Sequence, residues 1–196
     1  MKIGILAVQG AFAEHEAALE RLNRPWKEIR QLRDLEEPLD GLILPGGEST
    51  VQGKLLRDLG LFTPIRAKIQ SGMPVLATCA GMILLAEEIE GQEVRHLATM
   101  PVTVRRNAYG RQLGSFHGRW AFEGLGEIPM TFIRAPYLTR VDASVAVLAR
   151  VEGRVVAAQY KNQLALAFHP ELDDDLRLHR RFLSLCEGES HSTARV

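Results

Sequence analysis

The run from Ile3 to Val8 contains no polar side chain, so a strand there would be buried on both faces. Beyond it, Phe12, His15, Leu19 and Leu22 recur at helical spacing, with Glu14, Glu16, Glu20 and Arg21 mostly elsewhere. This pattern predicts a helix over 11–23, which Pro25 ends. The alternation continues with strands at about 27–32 and at Leu42 to Leu44, then helices over 50–59 and 64–71. A strand from Pro74 to Thr78 and a helix from Gly81 to Ile89 follow. Such a β-α-β-α order predicts an α/β fold in three layers, a mostly parallel sheet with helices on both faces.

The second half reads differently. Short strands are expected near 100–106, 119–122, 131–134, 145–149, 154–160 and 164–168, separated by turns such as Glu152-Gly153. A helix over 174–186 closes the pattern. No internal repeat or linker interrupts it, so residues 1–187 are expected to form one domain and 188–196 a frayed tail.

Composition narrows the functional classes. Basic and acidic residues balance at 24 each, which argues against nucleic acid or an anionic membrane as the main partner. The small excess of Arg105, Arg106 and Arg111 does not change that reading. No segment approaches the roughly 20 apolar residues of a membrane span. Met1 to Val8 gives way at once to Gln9-Gly10 and a charged helical pattern, so a buried strand is expected there, not a signal peptide. Two cysteines, Cys79 and Cys186, make no disulfide framework, and the reducing cytoplasm is the expected compartment. No His or Cys pair has metal-ligand spacing, and neither a metal nor a cofactor is expected.

Candidate chemistry begins at Ala77-Thr78-Cys79-Ala80-Gly81-Met82, where an apolar strand runs straight into an apolar helix. A residue at such a turn projects from the carboxyl edge of the sheet, where ligands bind in open α/β folds. The setting is that of a nucleophile elbow. A helix start there would favour a thiolate and offer free N–H groups to an oxyanion. The residues alone leave a second reading open, a small buried structural cysteine. Cys186, beside Leu185 on the last helix, reads as structural.

A thiol nucleophile needs a base, and the base needs an orienter. Leu164 to Phe168 is an apolar strand ending at His169-Pro170-Glu171. In extended backbone His169 and Glu171 would point the same way, so the carboxylate could hold the ring and stabilise its charged form. His15, His96, His117, His179 and His191 have no comparable placing and read as surface or packing residues.

A third segment, Leu44-Pro45-Gly46-Gly47-Glu48-Ser49-Thr50, reads as a strand, a glycine turn and a helix start, with capping-box spacing between Ser49 and Gln52. Its glycines would let backbone N–H groups approach an oxyanion. A phosphate-binding loop is rejected. Five residues, not four, separate Gly47 from Gly53, and Leu55 stands where Ser or Thr is required.

Together the cysteine elbow, the Pro-Gly-Gly loop and the late His-x-Glu resemble the class I, triad-type glutamine amidotransferases, whose fold is flavodoxin-like. Within that class the chain is similar to the glutaminase subunits of pyridoxal 5′-phosphate synthases. The similarity rests on Leu6 to Phe12, Leu44 to Thr50, Thr78 to Met82, Arg106 to Gln112, Phe132 to Pro136 and Phe168 to Leu172, which span nearly the whole chain in order. The resemblance implies Cys79 as nucleophile, His169 as proton shuttle and Glu171 as its orienter. It implies an oxyanion hole at the backbone N–H groups of Gly47 and Ala80, and glutamine contacts from Gly46, Gly47, Glu48, Arg106, Ile133 and Arg134. It also implies L-glutamine as substrate. The partner would be a (β/α)8-barrel synthase subunit in a hetero-oligomeric complex, to which ammonia passes. One departure is Ala77, which stands where the class often has glycine.

Overall fold

The computed structural model describes residues 1–106 and 114–188. Residues 107–112 of the Arg106 to Gln112 segment, which include Arg111, lie outside the described residues, as does the tail over 189–196 with His191. The chain runs β1 (Ile3–Leu6), α1 (Phe12–Arg21), β2 (Trp26–Ile29), β3 (Gly41–Leu44), α2 (Ser49–Asp58), α3 (Phe62–Gln70), β4 (Val75–Thr78) and α4 (Ala80–Leu85). Strands β5 (Ala86–Ile89), β6 (Met100–Arg105), β7 (Ser115–Phe122) and β8 (Gly126–Ile133) come next. They are followed by β9 (Tyr137–Val141), β10 (Ala146–Val151), β11 (Arg154–Tyr160), β12 (Gln163–Leu166) and α5 (Arg177–Cys186).

Ten of these strands form one sheet in the order β2-β1-β3-β4-β12-β11-β9-β6-β5, with β10 paired to β11 off that path. The first five neighbours are all parallel, and the antiparallel pairing begins at β11. Every residue of β1, β3, β4 and β12 is buried, which is why these strands are apolar without alternation. The order 2-1-3 places β2 on one side of β1 and β3 on the other. With right-handed crossovers, α1 must then cover one face and the α2–α3 connection the other. α5 sits on the α1 side. His15 of α1 and His179 of α5 are in contact, and a side chain at Gly41 of β3 would collide with Cys186 and Phe182 of α5.

Three expectations are corrected. The helix over Gly81 to Ile89 stops at Leu85, and Ala86–Ile89 is instead a strand pairing in parallel with β6. Ala80 to Leu85 are all buried, but Glu87 and Glu88 face outward to Arg140, with Glu88 also near Arg95. Sheet pairing there overrides the helix propensity of the two glutamates. Second, β9 was not expected, and it inserts between β6 and β11 with only Leu138 buried. Third, the Ser49–Gln52 capping box does not form. Glu48 is the N-cap, the Ser49 hydroxyl has no partner, and the Gln52 amide donates to the carbonyls of Gln9 and Pro45. The strands expected at 119–122 and 131–134 are longer, pairing as a separate two-stranded ribbon of β7 and β8. Among the described residues, no helix is long and apolar enough to cross a membrane.

Candidate active site

The carboxyl ends of β1, β3, β4 and β12 meet at one edge of the parallel half, and each delivers a different group. Cys79 follows β4 directly. Its backbone sits at φ 47° and ψ −101°, a left-handed conformation that L side chains rarely adopt. The N–H of Cys79 donates to Leu166 O of the neighbouring β12 at 2.7 Å, so the sheet pins the turn. That strain holds the buried sulfur at the sheet edge, with Sγ 3.9 Å from Ile133 O.

His169 lies just beyond β12. Its N–H donates to Thr131 O at 2.8 Å, which ties the ring's backbone to the β7–β8 ribbon. On one side the ring faces Cys79, both packed against Gly46. On the other, His169 Nδ1 and Glu171 Oε1 are 2.7 Å apart. The His–Glu contact does not arise from extended chain, because Pro170–Leu172 forms a 3-10 turn. The turn brings Glu171 back under the ring. Burial opposes a charge on His169 but is outweighed by the hydrogen bonds to Cys79 and Glu171 and by their negative charge, so the imidazole is pushed up to about 10. Burial also raises the Glu171 carboxyl, opposed by the hydrogen bond and charge of His169.

The glycine loop after β3 closes over this pair. Gly46 is packed so tightly that a methyl group there would collide with the His169 ring and press on Cys79 Cβ. Its N–H donates to Thr78 Oγ1 at 3.0 Å. The loop is held from below as well. Ala11 N–H donates to Gly46 O at 3.0 Å, and Glu48 N–H donates to Gln9 Oε1 at 2.9 Å. A side chain at Gly47 would meet Gln9 and Gln52.

A narrow cleft in front of the sulfur is lined by Gly47, Glu48, Ser49, Cys79, Ile83, Arg106, Ile133 and Arg134. The cleft is partly open to solvent, and the space it encloses is about 30 Å³. Arg106 spans the mouth, with Nη1 3.2 Å from Thr50 Oγ1 and Nη2 3.8 Å from Glu48 Oε2. Arg134 is exposed and also carries a positive φ of 44°. The fold thus brings Cys79, Gly47, Glu48, Arg106, Ile133 and Arg134 to one cleft, with Gly46 and His169 packed beside Cys79, Glu171 on the far side of the ring and Ala80 buried next in the chain. Among the described residues, no cluster of His, Cys, Asp or Glu has a metal-binding arrangement.

Several residues of this region escaped the sequence reading. Gln9 and Gln52 brace the glycine loop, and Thr78 ties it to β4. His15 and His179, expected at the surface or in packing, are fully buried directly behind Glu171. The signal for His15 was its place in the apolar stripe with Phe12 and Leu19. His96 is a packing residue, its ring lying over Gly53 of α2, while His117 is exposed and 3.1 Å from Asp173. Cys186 is partly buried, and burial pushes its thiol up to about 12, which suits a structural role.

Comparison with known proteins converges on the same chemistry. The SNO glutamine amidotransferase family matches residues 5–188. A protein of Desulfitobacterium hafniense named pyridoxal 5′-phosphate synthase subunit PdxT is 56% identical over 97% of this chain and 96% of its own. The protein of that name from Streptococcus pneumoniae is 55% identical over 97% of this chain and 100% of its own. A crystal structure of a glutamine amidotransferase superposes with a TM-score of 0.90 at 45% identity, covering 94% of this chain and 98% of that one. With its cysteine elbow, glycine loop and buried His–Glu pair at one sheet edge, the chain belongs to the SNO glutamine amidotransferase family.

Proposed function

We propose that this chain is the glutaminase subunit of a pyridoxal 5′-phosphate synthase, hydrolysing L-glutamine to L-glutamate and supplying the ammonia to a synthase subunit. The observation that carries the reading is the meeting of Cys79, at its strained elbow, with a buried His169 whose Nδ1 lies 2.7 Å from Glu171 Oε1. Sγ of Cys79, its proton taken by His169, attacks the side-chain amide carbon of glutamine. The C–N bond breaks as the imidazolium returns that proton to the leaving nitrogen, and ammonia departs. Water, deprotonated by His169, then cleaves the glutamyl thioester and regenerates the thiol. Glu171 holds the ring and stabilises its charged form.

The oxyanion of each tetrahedral intermediate is assigned to the N–H groups of Gly47 and Ala80. Arg106, Arg134, Glu48, Gly46 and Ile133 would hold the glutamine. The cleft is narrow, and we assign to docking of the synthase subunit a movement of the glycine loop that widens it for glutamine. That subunit is taken to be a (β/α)8 barrel in a hetero-oligomeric complex. Residues 1–187 are read as one domain, acting in the cytoplasm without a cofactor of their own.

The test is glutamate release from glutamine, with and without a pyridoxal 5′-phosphate synthase subunit, for the native chain and Cys79→Ala. Hydrolysis that needs the partner and drops by roughly 10⁴-fold or more in the variant is the expected result. Hydrolysis that is indifferent to the partner would point to another acceptor, and none under any condition would sink the glutaminase reading.

A further inference from the structure

Behind Glu171 lies a pair of histidines that the mechanism above does not use. His15 on α1 and His179 on α5 are both fully buried, and His15 Nδ1 is 3.1 Å from His179 Nε2. The other nitrogen of His15, Nε2, is 3.5 Å from Glu171 Oε2 and 3.3 Å from Thr78 Oγ1. Glu171 Oε2 is buried and has no hydrogen-bond partner, and neither has His179 Nδ1. Burial holds both rings in the neutral form, lowering His15 well below its usual value and His179 to about 4. The neighbouring charges act in the same sense, His179 and His169 on His15, and Arg21 on His179.

A neutral imidazole has one donor and one acceptor, so the pair has two consistent proton assignments. In the first, His179 Nε2–H donates to His15 Nδ1, and His15 Nε2–H is aimed at Glu171 Oε2. One acceptor, His179 Nδ1, is then left over. In the second, Thr78 donates to His15 Nε2, and His15 Nδ1–H donates to His179 Nε2. That strands a buried N–H on His179 and leaves the carboxylate oxygen without any donor. Leaving a buried carboxylate unsatisfied is the costlier outcome, so the first assignment is favoured. Thr78 already accepts from Gly46 N–H, and it can share the His15 proton with Glu171. Glu14, the other charged group acting on Glu171, is an anion and supplies no proton.

On the glutaminase reading, we propose that His15, fixed by His179, is a positioning residue: its Nε2–H holds the second oxygen of Glu171, so that the first stays on His169 Nδ1. The 3.5 Å separation is longer than a normal hydrogen bond, and His15 Nε2 is the nitrogen that faces the otherwise unpartnered oxygen. Two helices on one face of the sheet thereby set the ring orientation at its edge.

The tautomers can be read directly on the native chain by long-range ¹⁵N–¹H spectra of histidine-labelled protein at neutral pH. Nε2–H on both His15 and His179 is expected, and an Nδ1–H tautomer of His15 overturns the proposal whatever the activity shows. Kinetics on the partner-bound enzyme give a second measure. His15→Leu should lower kcat roughly 10- to 100-fold with KM nearly unchanged. It should also move the pH midpoint of Cys79 alkylation by iodoacetamide upward. His15→Gln, whose amide nitrogen reaches the place of Nε2, should restore most of both. Equal losses in the two variants with an unmoved alkylation profile would reduce His15 to packing. An inactive native chain would count against the glutaminase reading alone, since tautomer and alkylation profile still decide this one.

Discussion

The two halves of the sheet are built on different terms. In the parallel half, every residue of β1, β3, β4 and β12 is buried, and each strand is paired on both sides. Beyond β12, β9 buries one residue, β5 is an edge strand, and β7 of the separate β7–β8 ribbon alternates between exposed and half-buried positions up to the buried Phe122. The candidate chemistry follows the same division. Cys79 and His169 stand at the ends of buried strands, whereas Arg106, Ile133 and Arg134 lie at strand ends or loops of the exposed half. Groups that must keep a fixed mutual geometry are mounted on rigid elements, and groups that must meet an arriving substrate are mounted on adjustable ones.

The largest expected effect tests the rigid side. Gly46→Ala would push a methyl group into the His169 ring, so kcat of the complex should fall about 100-fold. Overpacking should also cost about 1–3 kcal/mol of stability. Steady-state kinetics with a thermal melt would check both, and an unchanged kcat would show that the edge is softer than its packing implies.

A second test separates the buried groups by their charge. His15 and His179 are held neutral, with His179 lowered to about 4, so the unfolded chain binds more protons than the folded one from pH 6.5 downward. Stability therefore falls as the solution is acidified, by about 2 kcal/mol from His179 alone between pH 7 and pH 5. His169 has the opposite sign. Its imidazole is raised to about 10, so its contribution is complete below pH 6.5 and is lost as pH rises toward 10. Urea unfolding should show a maximum near neutrality. A curve still rising from pH 7 to pH 9 would contradict the charged His169–Glu171 pair.

The smallest effect concerns the adjustable side. Arg106 pairs only loosely with Glu48, at 3.8 Å. Arg106→Ala should raise KM for glutamine about tenfold, close to 1.4 kcal/mol, and leave kcat within about twofold. A kcat loss as large as that of Gly46→Ala would erase the distinction between the halves.

The same division governs what could be read from the sequence. Strands buried on both faces announce themselves as unbroken apolar runs, so Ile3 to Leu6, Leu42 to Leu44, Val75 to Thr78 and Leu164 to Leu166 were all visible, and with them the residues at their ends. β9 was invisible because Tyr137-Leu138-Thr139-Arg140-Val141 has one buried position and no clean alternation. β5 was mistaken for helix because its glutamates are good helix formers and its partner, β6, comes later in the chain. The ring–carboxylate contact of His169 and Glu171 was suggested by their spacing, but the 3-10 turn that makes it was not. His15 and His179 are 164 residues apart, and no local pattern could have joined them.

The backbone of Cys79 carries a consequence for how such a chain can change. A non-glycine residue at φ 47° costs about 1–3 kcal/mol, and glycine would release it for a smaller entropic loss. Cys79→Gly should therefore melt above the native chain while hydrolysing nothing, which a calorimetric scan would show. Selection for foldability and selection for turnover pull in opposite directions at this residue, so a lineage released from its reaction would drift toward a more stable, inert protein.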